Sequence, residues 1–544
     1  MANIYNFGDN HRGKDPSNRA EHARSNAIVI ENGSYECRAG FVSDKQPDLI
    51  FKNLAFRQKG RNNEADIVLV GREIENLETF RTQLKSPFDR NVVTQFDTQE
   101  VILDHVFSKL RIKSKNCVGH PVMISEPIAN PNHSRKYLSE LVFECYCVPS
   151  LFYYTDALGC WYHEKQSTND ENNALVVSIG YQTTHVIPIS DGKTDHENIR
   201  RVNLGGYHLD YFMQKLLQLK YPIHAGSVSL SRAEDIVQNH VWIAEHYKEA
   251  CDQWTDMSYY YDKVRKMQLP YGNVPANFAA VAMQGERQVE RAKLTKEKQS
   301  LEKLQNKKQI LDQLCEIQEL TGTKLHRRLA ELNVDSPGEL QCHIKALRAT
   351  VEDLKRKITL KEEFNSGILT AEWLQAQIDK LDNPDLTKEF SEFDVAEYYQ
   401  LHIGIEQVRV PELLFQPSMV GIDQGGLSET LIYVLGKYPE EKQAQLSKNV
   451  LLTGGCACIP GIRERVEADL RSCRPFQSEI RVKLASDPVN ASWKGARKWY
   501  NDANRAQFAC TKAMYEELGG EYFIEHELSN AFYKTPAPTQ AKPQ

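Results

Sequence analysis

The chain has 544 residues, 41% hydrophobic and 26% charged, with a formal net charge of −6. That length exceeds one compact core and implies two to four domains. The composition is that of a globular protein and not of a polycation, so any nucleic-acid contact has to come from a local basic patch.

No apolar run reaches about 18 residues, which excludes an α-helical membrane span, and the polar N-terminus has no apolar stretch of signal-peptide type. The twelve cysteines are scattered. The close pairs Cys145-Tyr146-Cys147 and Cys456-Ala457-Cys458 have no zinc-ligand spacing. Buried thiols in a reducing, intracellular compartment are expected.

Residues 1–25 are polar and Asn-rich and are expected to lack regular structure. Ala27-Ile28-Val29-Ile30 is a buried-strand run entering the turn Glu31-Asn32-Gly33-Ser34, and Cys37–Phe41 is the returning arm of a hairpin. Val101, Ile102, Val106, Phe107 and Leu110 have helical spacing and predict a helix over 99–111. Pro121–Ser125 predicts a buried strand stopping at Glu126-Pro127. Helices are expected over 134–148 and over the aromatic-rich 151–162. Leu175–Ile179 runs as a strand into Gly180, and Thr184–Ile189 returns as a second hairpin arm. Helices follow over 207–220 and 231–252. Each hairpin presents a turn whose backbone N–H groups can form an anion-binding concavity; taken alone, a hairpin turn is more often purely structural.

After Pro270-Tyr271-Gly272 the character changes. Residues 283–364 are dense in Lys, Arg, Glu, Gln and Leu, and Leu294, Leu301, Leu304, Leu311, Leu314 and Ile317 form a coiled-coil-like seam. Ser336-Pro337-Gly338-Glu339 has the caps of a second helix start. The leucines of a lone long helix need a partner surface, which this chain or another protein can supply. Asn449–Thr453 is a third strand into a glycine turn, Gly454-Gly455, whose missing side chains permit close approach to a flat ligand. A helix follows over Ile462–Leu470, and Thr535–Gln544 is a Pro-rich tail expected to be disordered.

These motifs, in this order, resemble the actin superfamily. Glu31-Asn32-Gly33-Ser34 with Cys37–Phe41 resembles the first phosphate loop, Ser178–His185 with Pro188-Ile189 the second, and Thr453-Gly454-Gly455 with Pro460-Gly461 the adenosine-side glycine motif. Glu126-Pro127 with Asn130-Pro131, Pro411–Ser418 and Trp493-Lys494-Gly495-Ala496 resemble further family signatures. The resemblance implies an α/β, actin-like two-lobed nucleotide-cleft fold (duplicated RNase H-like domains) with a long helical insertion. The expected organisation is a disordered segment 1–25, a core in two parts (26–272 and 402–525), a charged helical insertion 273–401 and a tail 526–544. Implied nucleotide contacts are Asn32, Gly33, Ser34, Arg38, Gly180, Gly205, Gly206, Gly454 and Gly455. The implied cofactor is ATP or ADP, with Mg left open; no catalytic or metal-ligating residue is assigned.

The insertion and the turns at Gly180 and at Asn203–Gly206 resemble, within that superfamily, the actin-related subunits of nuclear INO-eighty-type chromatin remodellers. This implies a nuclear location (with the cytoplasm left open), roles in transcription and DNA repair, and four partners: a Snf2-type motor, a small Ies-type subunit, RuvB-like ATPases and the nucleosome. Arg287, Arg291, Lys293, Lys296, Lys298, Lys307 and Lys308 are the candidate partner- or DNA-binding residues. Acidic neighbours (Glu286, Glu290, Glu297) suit protein docking as well. A polar Phe51–Val70 region and the insertion argue against an actin-style filament.

Actin-type hydrolysis needs backbone N–H groups around the phosphates, acids for the magnesium and its waters, and a side chain that orients the attacking water. Here Glu31 stands for the usual first-loop aspartate, Tyr35 for its second glycine, and Ser178 for the aspartate opening the second loop. Tyr181 and Gln182 replace the next acid and glycine, the water-positioning glutamine falls on Asp156, and His185 is retained. Efficient hydrolysis is therefore not expected. His185 on a strand is more often a structural residue, and Arg38 can equally pair with a core carboxylate. The alternative is an active ATPase or phosphotransferase of the actin, sugar-kinase and chaperone superfamily; a third reading is a filament subunit.

Overall fold

Strand pairing in the first half of the chain follows from two runs that are apolar on both faces. The structure, a computed structural model, describes residues 4–7, 13–16, 26–58, 67–74, 84–112, 117–165, 172–270, 278–318, 341–342, 344–351, 375, 395–502 and 505–520. It divides into two compact units, 1–269 with 401–544, and 270–400.

The larger unit holds two six-stranded sheets with one pairing plan. In the first, Ile28–Asn32 pairs antiparallel with Glu36–Phe41, which pairs antiparallel with Leu49–Lys52. On its other side Ile28–Asn32 lies parallel to Val122–Glu126, and that strand lies parallel to Ser150–Thr155. In the second, Ala174–Ile179 pairs antiparallel with Thr184–Ser190, then parallel with Val450–Thr453 and, beyond it, Val482–Leu484. This repetition is the expected α/β duplication. The hairpins also match in register: Glu31 faces Arg38, and Ser178 faces His185.

Helices cover the sheets with the spacing their apolar residues dictate. Phe96–Lys109 buries Ile102, Leu103, Val106 and Phe107 against the first sheet, one stripe of a 3.6-residue period. Helix Ala491–Asp502 lies on the other face, where Trp493 packs in a cluster with Val29, Met123, Phe152 and Tyr154. The Trp493 indole N–H donates to the carbonyl of Val29 at 3.0 Å. The same helix meets Asp156–Glu164 at two glycines; a Cβ on Gly495 would lie 1.7 Å from the Gly159 carbonyl oxygen.

Several local expectations are corrected. The expected helix over 151–162 is a strand, Ser150–Thr155, followed by the helix Asp156–Glu164. A run buried on both faces has no period to separate strand from helix, and pairing with Val122–Glu126 decides it. The single helix over 231–252 is two, Leu230–His240 and Tyr247–Gln253. Between them the Trp242 N–H donates to the Gln407 carbonyl (3.1 Å) and the Ile243 N–H to that of Pro460 (2.8 Å), so tertiary bonds capture backbone that a helix would use. The helix expected over 134–148 ends at Glu140 and widens into a π-turn, Leu141–Cys145. In the lead-in, Ile4–Asn6 is a strand parallel to Arg265–Gln268; the tail from 526 lies outside the described residues.

The 270–400 unit contains the 41-residue helix Phe278–Gln318. Leu301 and Leu304 are buried, as are Ile344 and Val351 of the helical stretch 344–351. Arg348 reaches the Cys315 sulfur at 3.8 Å, so the two segments meet within the insertion. The predicted helix start at Ser336–Glu339 lies outside the described residues.

Replacing Trp493 by alanine removes the largest fully buried side chain of the core and should cost about 3–5 kcal/mol. Chemical denaturation checks this; a loss below about 1 kcal/mol would show that the helix Ala491–Asp502 does not depend on this anchor.

Candidate functional site

A cavity of about 310 Å³ is lined by the turns of both hairpins, the Gly454–Cys456 turn, the start of helix Asp156–Glu164 and the helix residues Val237 and Gln238. The first turn is closed by the Gly33 N–H donating to the Glu36 carbonyl at 3.1 Å. A Cβ on Gly33 would lie 2.8 Å from that oxygen. The second is closed the same way, Gly180 N–H to the Thr183 carbonyl at 2.9 Å. Gly454 has φ +93°, and a Cβ there would lie 2.4 Å from the Ile179 carbonyl oxygen, so only glycine lets this turn approach the second hairpin. Nothing lies within 4 Å of a Cβ built on Gly455, which faces open space.

Of the expected nucleotide contacts, Gly33, Ser34, Arg38, Gly180, Gly206, Gly454 and Gly455 line this cavity. Asn32 and Gly205 are not on its wall; they hold the turns from behind. The Asn32 amide donates to Gln99 Oε1 and accepts from Asn53 Nδ2, each at 2.8 Å, and its backbone N–H donates to Ser125 Oγ. Gly205 packs under the second turn, where a Cβ would lie 2.5 Å from the Gly180 oxygen. Arg38 is on the wall, but its guanidinium donates to Glu31 Oε1 at 2.9 Å and to Glu36 Oε2 at 2.5 Å. Pairing with core carboxylates, the alternative role for this arginine, is what the geometry supports.

Asp156 opens its helix and lines the cavity beside Glu31, a place it owes to the strand that precedes it. Burial pushes Asp156 up to about 6. Burial, opposed by Arg38 and reinforced by Asp156, pushes Glu31 up to about 7. Burial, with Glu234 adding, holds Asp210 well above the carboxylate range. Burial and then Arg201 lower His185 to about 3, so its imidazole is neutral at pH 7. Among the described residues, Glu31 Oε2, Arg38 Nε, Thr183 Oγ1 and His185 Nε2 are buried lining atoms without a hydrogen-bond partner. Buried polar atoms of this kind call for water or a ligand.

The two turn tips meet each other. The Tyr35 and Tyr181 rings lie 4.9 Å apart at 47°. The Tyr35 hydroxyl donates to Glu234, which also takes the Lys52 ammonium at 2.9 and 3.0 Å, and Gln238 Nε2 donates to the Tyr35 oxygen at 2.9 Å. Both tyrosines stand out in the sequence as bulk where bare backbone is expected; that they touch is a tertiary fact. Gly454, Gly455, Val237, Ile459 and Pro460 line the same cavity as the two rings.

The candidate insertion residues lie on the helix Phe278–Gln318. Arg291, Lys293 and Lys296 are exposed, Lys307 and Lys308 half-buried, and the Arg287 side chain lies outside the described residues. Lys298 is half-buried and donates to Gln375 Oε1 at 2.8 Å, within the insertion itself.

The family model described as Actin matches residues 22–528. The chain is 39% identical to actin-related protein 5 of Gallus gallus, over 94% of this chain and 91% of that protein. It is 38% identical to actin-related protein 5 of Homo sapiens, over 99% and 96%, and 32% identical to that of Drosophila melanogaster, over 94% and 100%.

A carboxyl at about 7 when folded and near 4.5 when unfolded binds its proton more tightly in the folded chain. Its contribution to stability is complete below the unfolded value and is lost as pH rises through the folded one. Denaturation midpoints should fall from about pH 5 to about pH 8, and Glu31→Gln should flatten that slope. An equally steep profile in the variant would place the titration elsewhere.

Proposed function

The chain belongs to the actin family, and on that premise we propose that it is a non-motor, non-hydrolysing structural subunit of a nuclear ATP-dependent chromatin-remodelling complex. The likeness to actin-related protein 5 along nearly the whole chain supports the subunit role. The implied partners are the Snf2-type motor, a small Ies-type subunit, the RuvB-like ATPases and the nucleosome. Roles in transcription and DNA repair follow from membership in such a complex.

The observation that carries the non-hydrolytic part is the tyrosine contact at the turn tips. Hydrolysis requires the terminal phosphate to meet bare backbone and a cation. Here the two turns carry the side chains of Tyr35 and Tyr181, in contact with each other, where bare backbone is required, Ser178 offers no carboxylate, and the Arg38 charge is taken by Glu31 and Glu36. Gly454, Gly455 and the apolar wall around Val237 and Ile459 would hold the base and sugar of a bound ATP or ADP. When bound, the nucleotide supplies binding free energy that stabilises the folded chain.

The insertion serves as the docking arm. Its exposed Arg291, Lys293 and Lys296 are placed for phosphate or acidic-protein contacts, and phosphate contacts weaken steeply with salt. An actin-style filament is not part of this reading.

Incubating the purified chain with Mg and ATP, then extracting and quantifying bound nucleotide over time, tests the assignment. Less than one phosphate released per chain is expected. Repeated conversion to ADP would overturn it in favour of an active ATPase.

A further inference from the structure

We propose that the two turns of the cleft form a latch, in which Tyr35, Tyr181 and Gln182 hold the first-sheet side of the cleft against the second-sheet side, so that the cleft opens only when their contacts release. This goes beyond the nucleotide-holding reading and does not depend on it. Tyr35 and Gln182 stand where the family resemblance implies glycine, and Tyr181 where it implies an acid. Each of the three spends its side chain on a contact across the cleft.

The Tyr35 hydroxyl donates to Glu234 of the helix Leu230–His240, and Gln238 of the same helix donates to the Tyr35 oxygen at 2.9 Å. That helix packs on Gly206–Lys220, whose Gly206 N–H donates to the Gly180 carbonyl of the second turn at 3.1 Å. The Tyr181 ring meets the Tyr35 ring from the second turn. Gln182 Oε1 accepts the backbone N–H of Asn91 at 2.5 Å. Asn91 lies between the strands Phe88–Asp89 and Val92–Val93, just ahead of the helix Phe96–Lys109 that covers the first sheet.

Charge works in the same direction. The Lys52 ammonium, on the first-sheet strand Leu49–Lys52, meets Glu234 at 2.9 and 3.0 Å, and both residues are buried. The same ammonium lies 5.4 Å from the Tyr35 ring centroid. Parting the two sides separates this ion pair along with the hydrogen bonds, and a buried charge without its partner is costly. Closure is therefore favoured by the chain's own side chains. A ligand or partner that needs the cleft open has to offset that cost by binding the open form more tightly.

Hydrogen–deuterium exchange of the purified full chain, read by mass spectrometry, tests the latch. In Tyr35→Phe/Gln182→Ala, the amides of both turns and of the helix Leu230–His240 should exchange about tenfold faster, as the loss of a few hydrogen bonds would produce. Those of the strands Val122–Glu126 and Val450–Thr453 should keep their rates. The helix carries neither substitution, so its response reports the parting of the two sides. An unchanged rate in that helix overturns the latch. So does an equal rise in every peptide, which would make these side chains general stabilisers of the fold. If the double variant does not fold, Tyr35→Phe alone decides. It loses only the hydroxyl contacts, so about threefold faster exchange of the helix is expected, and no change there overturns the proposal.

Discussion

Tyr35 and Tyr181 meet ring to ring on the wall of the cleft, and the groups around them are arranged to keep them there. Glu234 anchors one ring and is itself held by Lys52 and Gln238. The tip of the second hairpin is held from below, where the Gly206 and Tyr207 N–H groups donate to the Gly180 and Tyr181 carbonyls. The contact thus ties one duplicated sheet to the other through side chains, at a place where the family resemblance implies that a ligand does the tying.

The duplication shows how far two copies of one plan can diverge while keeping their backbone. Glu31 faces Arg38 in the first hairpin, and Ser178 faces His185 at the same register position in the second. In the first pair a buried carboxyl meets a buried guanidinium, at a desolvation cost that the ion pairs offset only in part, so Glu31 is raised to about 7. The other is neutral, because burial strips the proton from the imidazole. Asp156, next to the first pair, adds to the pressure on Glu31. The cleft therefore carries one concentrated pool of buried acid on the first-hairpin side and none opposite it at the paired position.

The insertion follows a different logic. A helix of 41 residues cannot be held by propensity alone; within the same unit Leu301, Leu304, Ile344 and Val351 are buried and Arg348 reaches Cys315. The basic residues that stay outermost, Arg291, Lys293 and Lys296, are on the part of the helix before that contact.

Both hairpins, the Gly454-Gly455 turn and the family were legible in the residues alone, because strand runs and glycine turns are short-range features that a few neighbours dictate. Gly33 and Gly454 could be singled out because no other residue fits so close to a carbonyl oxygen. Ser150–Thr155 could not be told from a helix, since a segment buried on both faces shows no period until a neighbouring strand takes up its hydrogen bonds. The break at Val241–His246 was equally hidden, being made by the Gln407 and Pro460 carbonyls from far along the chain. Arg38 could be read as a phosphate ligand or a partner of core acids, and burial beside two carboxylates decided between them. Each tyrosine was visible as an obstruction in its own turn, but only the tertiary structure brings the two rings together, because contact between residues of different sheets depends on packing and leaves no pattern in either stretch of sequence.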